Sequence, residues 1–170
     1  MLRRRSWLVP VAVALLWALV SLSCTSFSVS LDQATLQLAV PTPVPTQVQL
    51  PPNATFFDVR ADQGWQATGL QVVAGRQFQV AYVAGHVVDR DTVVENGNGW
   101  NYVCGRASCC EPLPTVRRSA LIGKIGSWTF FIGNGGQFSA PLDGQLLLRI
   151  NDCDEGLYDN RGSLTVGIGP

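Results

Sequence analysis

Histidine is almost missing from this chain, with His86 the only one in 170 residues. Nucleophilic chemistry of the Ser–His or Cys–His kind would rest on that one side chain. Its place just after an alternating apolar run gives it an edge or packing role instead. The chain has no G-x-S-x-G elbow, no H-E-x-x-H pair and no glycine-rich phosphate loop, which removes the usual serine hydrolase, zinc protease and nucleotide-binding readings. Blocks of Lys and Arg interleaved with aromatics are missing too, so nucleic acid is excluded as a partner. Paired C-x₂-C spacings do not occur, which argues against a four-cysteine zinc site. From Phe56 onward no stretch carries a persuasive helical period.

What is present begins with export. Arg3, Arg4 and Arg5 precede an uncharged run from Ser6 to Leu31, most apolar over Trp7–Val20, in the order of an export signal. Ser21-Leu22-Ser23-Cys24 resembles a bacterial lipoprotein signal, with Ser23 as the small residue before the cut and Cys24 as the lipidated first residue; Ser21 stands where such signals usually put Leu or Val. Residues 1–23 therefore read as a lipoprotein-like signal peptide, or as an uncleaved membrane anchor, because the uncharged run exceeds the ~20 residues that cross a bilayer. Free secretion is the third course. Each places the folded part outside the cytoplasm, membrane-anchored at the cell surface or released. Loss of residues 1–23 removes Arg3, Arg4 and Arg5 from the twelve Lys and Arg and none of the twelve Asp and Glu, leaving nine against twelve and a net charge of −3.

Residues 24–55 form a Ser/Thr/Pro-rich tether. Proline at every second position in Val40-Pro-Thr-Pro-Val-Pro-Thr, followed by Pro51-Pro52, forbids helix and denies ladder hydrogen bonds. At about 3.1 Å per residue its part Thr25–Pro52 reaches roughly 80–90 Å. Residues 56–170 read as one domain. Phe78, Val80 and Tyr82, then Leu146, Leu148 and Ile150, then Leu164, Val166 and Ile168 fall on alternate positions, the period of half-buried strands. Leu70–Val73, Ala120–Ile125 and Trp128–Ile132 supply further strands, with turns at Gly75, Gly126, Gly133–Gly136 and Asp143-Gly144. Six to eight short antiparallel strands over this length predict an all-β fold, a small jelly-roll β-sandwich.

After Cys24, four cysteines remain: Cys104, Cys109, Cys110 and Cys153. An even number in an oxidising compartment predicts two disulfides. A bond between the adjacent Cys109 and Cys110 would be strained, so one of them joins Cys104 and the other Cys153. This staples the least regular stretch, Asp89–Ser119, to the loop that follows Ile150.

That loop carries the strongest functional signal. Asp152, Asp154, Glu155 and Asp159 place four of the twelve carboxylates within eight positions, in a chain where only 14% of residues are charged. Hard oxygen donors in such density suit Ca²⁺. Asp152, Asp159 and Asn160 offer side-chain oxygens, and Gly156 is free to turn its carbonyl inward. The loop is not an EF-hand, since Leu157 and Ser163 occupy the places of its Gly and Glu. A solvated acidic turn is the plain alternative.

The order of motifs resembles the PA-IL-like family of bacterial calcium-dependent galactophilic lectins: Gly64-Trp65 to Gly75, Gln79 to Gly85, Ala120 to Gly126, Gly144 to Asp152, and Asp159-Asn160-Arg-Gly162-Ser163-Leu-Thr-Val. The resemblance spans about 56–168 and implies a galactose-binding-like jelly roll in which one Ca²⁺ bridges the protein and two hydroxyls of a galactose-like sugar. It further implies Asp152 as a carboxylate ligand, Gly156 through its carbonyl, Asp159 and Asn160 through side-chain oxygens, and Asp89 as the counterpart of a further carbonyl ligand. The sugar-binding residues it implies are Asp152, Cys153, Asp159 and Asn160. The family usually has Asn where Asp159 stands, and its sugar-contacting His and Gln have no counterpart here. Tyr158 or Trp100 could offer a sugar ring an apolar face. The expected function is a non-enzymatic, exported carbohydrate-binding module that reads sugar hydroxyls through bound Ca²⁺. A structural or adhesive sandwich with a purely stabilising calcium site is the alternative. A glycoside-active enzyme built on Asp152 and Asp154 ranks third.

Overall fold

The structure is a computed structural model that describes residues 49–50, 53–106 and 108–170. The signal or anchor segment, Cys24 and the tether over 24–48 and 51–52 lie outside the described residues. Among the described residues no helix is long and apolar enough to cross a membrane.

The alternating runs form strands because period-two patterning buries one face and leaves the other in water. In chain order these are β1 (Thr55–Arg60), β2 (Gln66–Val72), β3 (Gln77–Asp89), β4 (Thr92–Val94), β5 (Leu121–Ile125), β6 (Trp128–Phe131), β7 (Gly135–Ser139), β8 (Gly144–Ile150) and β9 (Asn160–Gly169), with a short 3₁₀ turn, Asp154–Asp159, between β8 and β9. One sheet has the order β1-β9-β3-β4, with β7 also paired to β3; the other is β2-β8-β5-β6. Every pairing is antiparallel. Val59, Phe78, Val80, Leu164 and Val166 from the first sheet share a core with Leu121, Ile125, Leu146, Leu148 and Ile150 from the second. Phe130 lies 6.0 Å from Phe78 and stacks at 4.0 Å on Trp128. The result is the all-β sandwich that the alternation predicts.

Among the described residues nine strands are present against the six to eight expected. β7 begins inside Gly133–Gly136, which reads as a turn. Its glycines are drawn into pairing with Val80 and Ala81 because the long β3 offers an open edge there, and tertiary pairing overrides the poor strand preference of glycine. β3 also continues past its expected end, so His86 lies within the strand and is exposed.

A bulge in β3 decides what faces the core near its end. The β3–β9 register shifts between Tyr82 and Ala84, and a one-residue slip exchanges the two faces of a strand. Phe78 and Val80, at even positions, point inward before it; Val87 and Asp89, at odd positions, are buried after it. Beyond the bulge, Gly85 (φ 93°) and Gly162 (φ 84°) sit on neighbouring strands where a Cβ would meet the backbone of Ser163 and His86. Only glycine permits this close crossing of β3 and β9.

The two disulfides are Cys104–Cys109 and Cys110–Cys153, one of the two arrangements left open by the sequence. All four thiols are consumed, so a cysteine zinc site is not formed. Closing loops with sequence separations of 43 and 5 restricts the unfolded chain by about 4 and about 2 kcal/mol respectively. Replacing Cys110 and Cys153 by Ser is therefore expected to lower the urea midpoint more than replacing Cys104 and Cys109. Equal midpoints in non-reducing buffer would contradict this ranking.

Candidate functional site

The site forms where the ends of three strands meet. β3 ends at Asp89 directly opposite Asn160, the first residue of β9. β8, in the other sheet, ends at Ile150, and the chain then delivers Asp152, which is completely buried. The 3₁₀ turn, anchored in the core by Leu157, brings Asp159 back alongside. Carboxylate oxygens of Asp89, Asp152 and Asp159 all lie within 4.8 Å of one another.

The run of four acidic residues is thus divided. Asp154 turns away and meets Arg149, with 2.7 Å between Nη1 and Oδ1, while Glu155 is exposed. Asp152 and Asp154 therefore do not flank a common space, as a glycoside-cleaving pair must. Arg149 is itself buried. It donates to the backbone carbonyls of Ile150 (3.0 Å) and Asp152 (2.7 Å) and lies 5.5 Å from the ring of Trp65. Charge-assisted bonds of this kind fix the entry to the acidic loop.

Asn151 holds the opposite wall. Its Oδ1 accepts from Leu113 N–H, and its Nδ2 donates among the carbonyls of Leu113, Val116 and Arg117 at 3.0–3.2 Å. The disulfide from Cys153 to Cys110 reinforces the same connection. Together they bring the irregular stretch against the carboxylates and so position Arg118.

Arg118 occupies the middle of the cluster. Its Nε donates to Asp89 Oδ2 at 2.7 Å and its Nη2 lies 2.9 Å from Asp152 Oδ1. Burial disfavours its charge, but hydrogen bonding and attraction from Asp89 and Asp152 outweigh this and raise its pKa above the ordinary arginine value. The guanidinium stays charged. Ser119 Oγ donates to Asp89 Oδ2 at 2.6 Å, Cys153 N–H to Asp152 Oδ1 at 2.7 Å, and Asn160 Nδ2 to Asp152 Oδ2 at 2.8 Å. Arg90, largely exposed, reaches Asp159 Oδ2 at 3.3 Å. Among the described residues the non-glycine residues with positive φ are Arg90 (55°) and Ser119 (59°), both adjoining this cluster. Such backbone conformations persist where surrounding contacts over-determine them.

Two oxygens remain without a partner: Asp159 Oδ1 and Asn160 Oδ1 are buried and accept no hydrogen bond. Such groups are costly to leave unsatisfied. Three carboxylates face one partly buried guanidinium, and the donor set is entirely oxygen, so the residues fit a hard divalent cation such as Ca²⁺. Gly156 passes tightly against the same place; a Cβ there would lie 3.1–3.2 Å from both Asp152 carboxylate oxygens.

Beside the cluster opens a cleft of about 400 Å³ lined by Asp89, Arg90, Asp91, Thr92, Trp100, Tyr102 and Arg118. Trp100 and Tyr102 stack at 5.5 Å with 22° between their planes. Tyr158, next to Asp159, is 86% exposed.

No family model matches the chain, and no curated protein matches it. Among solved structures it is similar to the EclA N-terminal domain, a PllA-like lectin, at 20% sequence identity and a TM-score of 0.54, over 69% of this chain and 97% of that one. This chain shares that lectin domain's fold. The likeness is to a lectin-like sandwich in general.

Asp89, Asp152, Gly156, Asp159 and Asn160 are all brought together, and Cys153 adjoins them. Asp89 differs from expectation in one respect: the resemblance implies its carbonyl, whereas the structure brings its carboxylate into the cluster. Cys104 and Cys109 belong to the irregular stretch, and Cys24 lies outside the described residues. Sequence reasoning missed Arg118, Ser119, Arg149 and Asn151. Arg149 occupies a position that alternation assigns to solvent, and nothing local marks the other three.

Asn151→Ala is expected to cost about 2–3 kcal/mol, since it strands several buried backbone groups. The exposed Asn101→Ala should change stability by less than about 0.5 kcal/mol. Urea denaturation of both variants checks the contrast.

Proposed function

We propose that this domain is an exported carbohydrate-binding module holding one Ca²⁺ among Asp89, Asp152, Gly156, Asp159 and Asn160. The observation that carries this reading is the pair of buried, unpartnered oxygens on Asp159 and Asn160 within a cluster of three carboxylates, at the edge of a cleft containing two stacked aromatic rings. The lectin-like fold is consistent with it. When bound, Ca²⁺ supplies a Lewis-acidic centre that orients two vicinal sugar hydroxyls. The protein's own part is recognition: Trp100 and Tyr102 provide an apolar face for a ring, and Arg90, Asp91 and Thr92 provide polar contacts around it. Selection is then by hydroxyl geometry, no bond is broken, and a galactose-like sugar is the first candidate on the family resemblance. The module is held at the cell surface by lipid on Cys24 or by an uncleaved anchor. Many copies on one membrane raise avidity for a polyvalent glycan.

A second reading, a calcium site that only stabilises the sandwich, is favoured by one observation: Asp152 is sealed on all sides by Arg118, Asn160 and the Cys153 N–H. A glycan array run with Ca²⁺ and with a chelator separates the two. Calcium-dependent retention supports recognition; a calcium-dependent rise in melting temperature with no glycan retained supports the stabilising site. Asp152→Asn keeps the shape of the side chain and removes its charge. It is expected to lower calcium affinity at least tenfold and to abolish glycan retention together with it, as read by calorimetry and the array. Full glycan binding by this variant would overturn the ion-bridged reading.

A further inference from the structure

We infer that Arg118 is a built-in competitor for the cation: its guanidinium closes half of the acidic cage, and a divalent metal enters by displacing it into the neighbouring cleft. This rests on the calcium reading above and concerns what governs the affinity of that site.

The guanidinium already bonds to the oxygens that a metal would need. Nε takes Asp89 Oδ2 and Nη2 takes Asp152 Oδ1, and these two carboxylates belong to the convergent group. A second cation seated on the same oxygens would stand beside a positive charge at close range, where low dielectric strengthens repulsion. Arg118 nevertheless leaves the cage incomplete. Asp159 Oδ1 and Asn160 Oδ1 stay unpartnered with it in place, and the exposed Arg90 touches only the outer oxygen of Asp159. A metal ion would collect donors that the guanidinium does not reach, which is the gain that offsets losing the ion pairs.

The geometry confines the exchange to one side chain. The Arg118 backbone is held on both sides, its N–H donating to Tyr102 O at 2.9 Å and its carbonyl accepting from Trp100 N–H at 3.1 Å. The next residue is pinned by Ser119 N–H to Asn151 O and by Oγ to Asp89. Yet the side chain is not sealed in: 15% of it is exposed, and it forms part of the lining of the cleft with Trp100 and Tyr102. The guanidinium can leave the carboxylates by rotating about its own bonds into that space, where Asp91 in the lining offers a counter-charge and the aromatic faces stay free for a ring. The strands do not have to move.

The test uses the full-length protein titrated with CaCl₂. Arg118→Met retains the apolar stem and removes the competitor, so calcium is expected to bind at least tenfold tighter, while the calcium-free variant melts below the wild type because Asp89 and Asp152 have lost their counter-charge. Arg117→Met, an exposed neighbour in the chain whose side chain has no part in the cluster, should alter calcium affinity less than threefold. A gain confined to Arg118→Met upholds the inference, including the case in which the wild type takes up no measurable calcium. Equal or weaker binding by Arg118→Met than by a binding wild type overturns displacement but leaves the calcium site standing, as does an equal gain from Arg117→Met. No uptake by either protein removes both. Should Arg118→Met fail to fold, the wild type alone decides: the Arg118 Nε–H, protected from exchange by its bond to Asp89, is expected to lose protection at saturating calcium. Retained protection at saturation overturns the inference.

Discussion

Three carboxylates gathered at a buried strand junction repel one another, and a buried charge is tolerated only with a counter-charge and hydrogen bonds around it. Here the counter-charge is the guanidinium of Arg118, which bonds Asp89 in one sheet and Asp152 at the end of a strand from the other. This ion-pair network therefore spans the two layers of the sandwich at the end where β3, β8 and β9 meet. Ser119, Asn160 and the Cys153 N–H complete the shells of Asp89 and Asp152. On the side of the cluster nearest Asp159, two buried acceptors, Asp159 Oδ1 and Asn160 Oδ1, are left without donors.

Much of the irregular chain exists to bring that arginine into place. Residues between β4 and β5 have no ladder to organise them, so Asn151 supplies substitute partners for their carbonyls, and the Cys110–Cys153 bond fixes them covalently to the acidic loop. Arg149 performs the corresponding task on the other side by capturing the Asp152 carbonyl and drawing Asp154 outward. Two arginines thus sort the acidic residues, Arg149 taking one to the surface and Arg118 retaining two in the interior. A rigid platform with an oxygen-rich opening beside stacked aromatic rings is what recognition of a polar, ring-shaped ligand requires.

The strands at β5, β6 and β8 were legible because Leu121 to Ile125, Trp128 to Phe131 and Leu146 to Ile150 declare their buried faces by local pattern alone. β7 was hidden because its glycines favour a turn in isolation. Within the acidic loop, Asp152, Gly156, Asp159 and Asn160 could be recognised as a group, yet nothing in their spacing separates them from Asp154, which leaves the cluster only because Arg149 waits for it across the strand end. Asp89 could be suspected from family resemblance but not its mode of participation, since continuing the even-numbered alternation of Phe78 and Val80 turns its side chain toward solvent.

What the amino-acid sequence determined by itself was the layered all-β plan, the presence of two disulfides and the concentration of acidic groups after Ile150. Each follows from short-range pattern, composition or the chemistry of neighbouring residues. Tertiary structure alone decided that Cys109 pairs with Cys104 and Cys110 with Cys153, that the bulge after Tyr82 turns Asp89 inward, and that Arg118 stands among the carboxylates. The physical reason is that each of these depends on a contact between residues distant in the chain or on a one-residue slip in register. Such a slip reverses the faces of a strand without changing any residue in it.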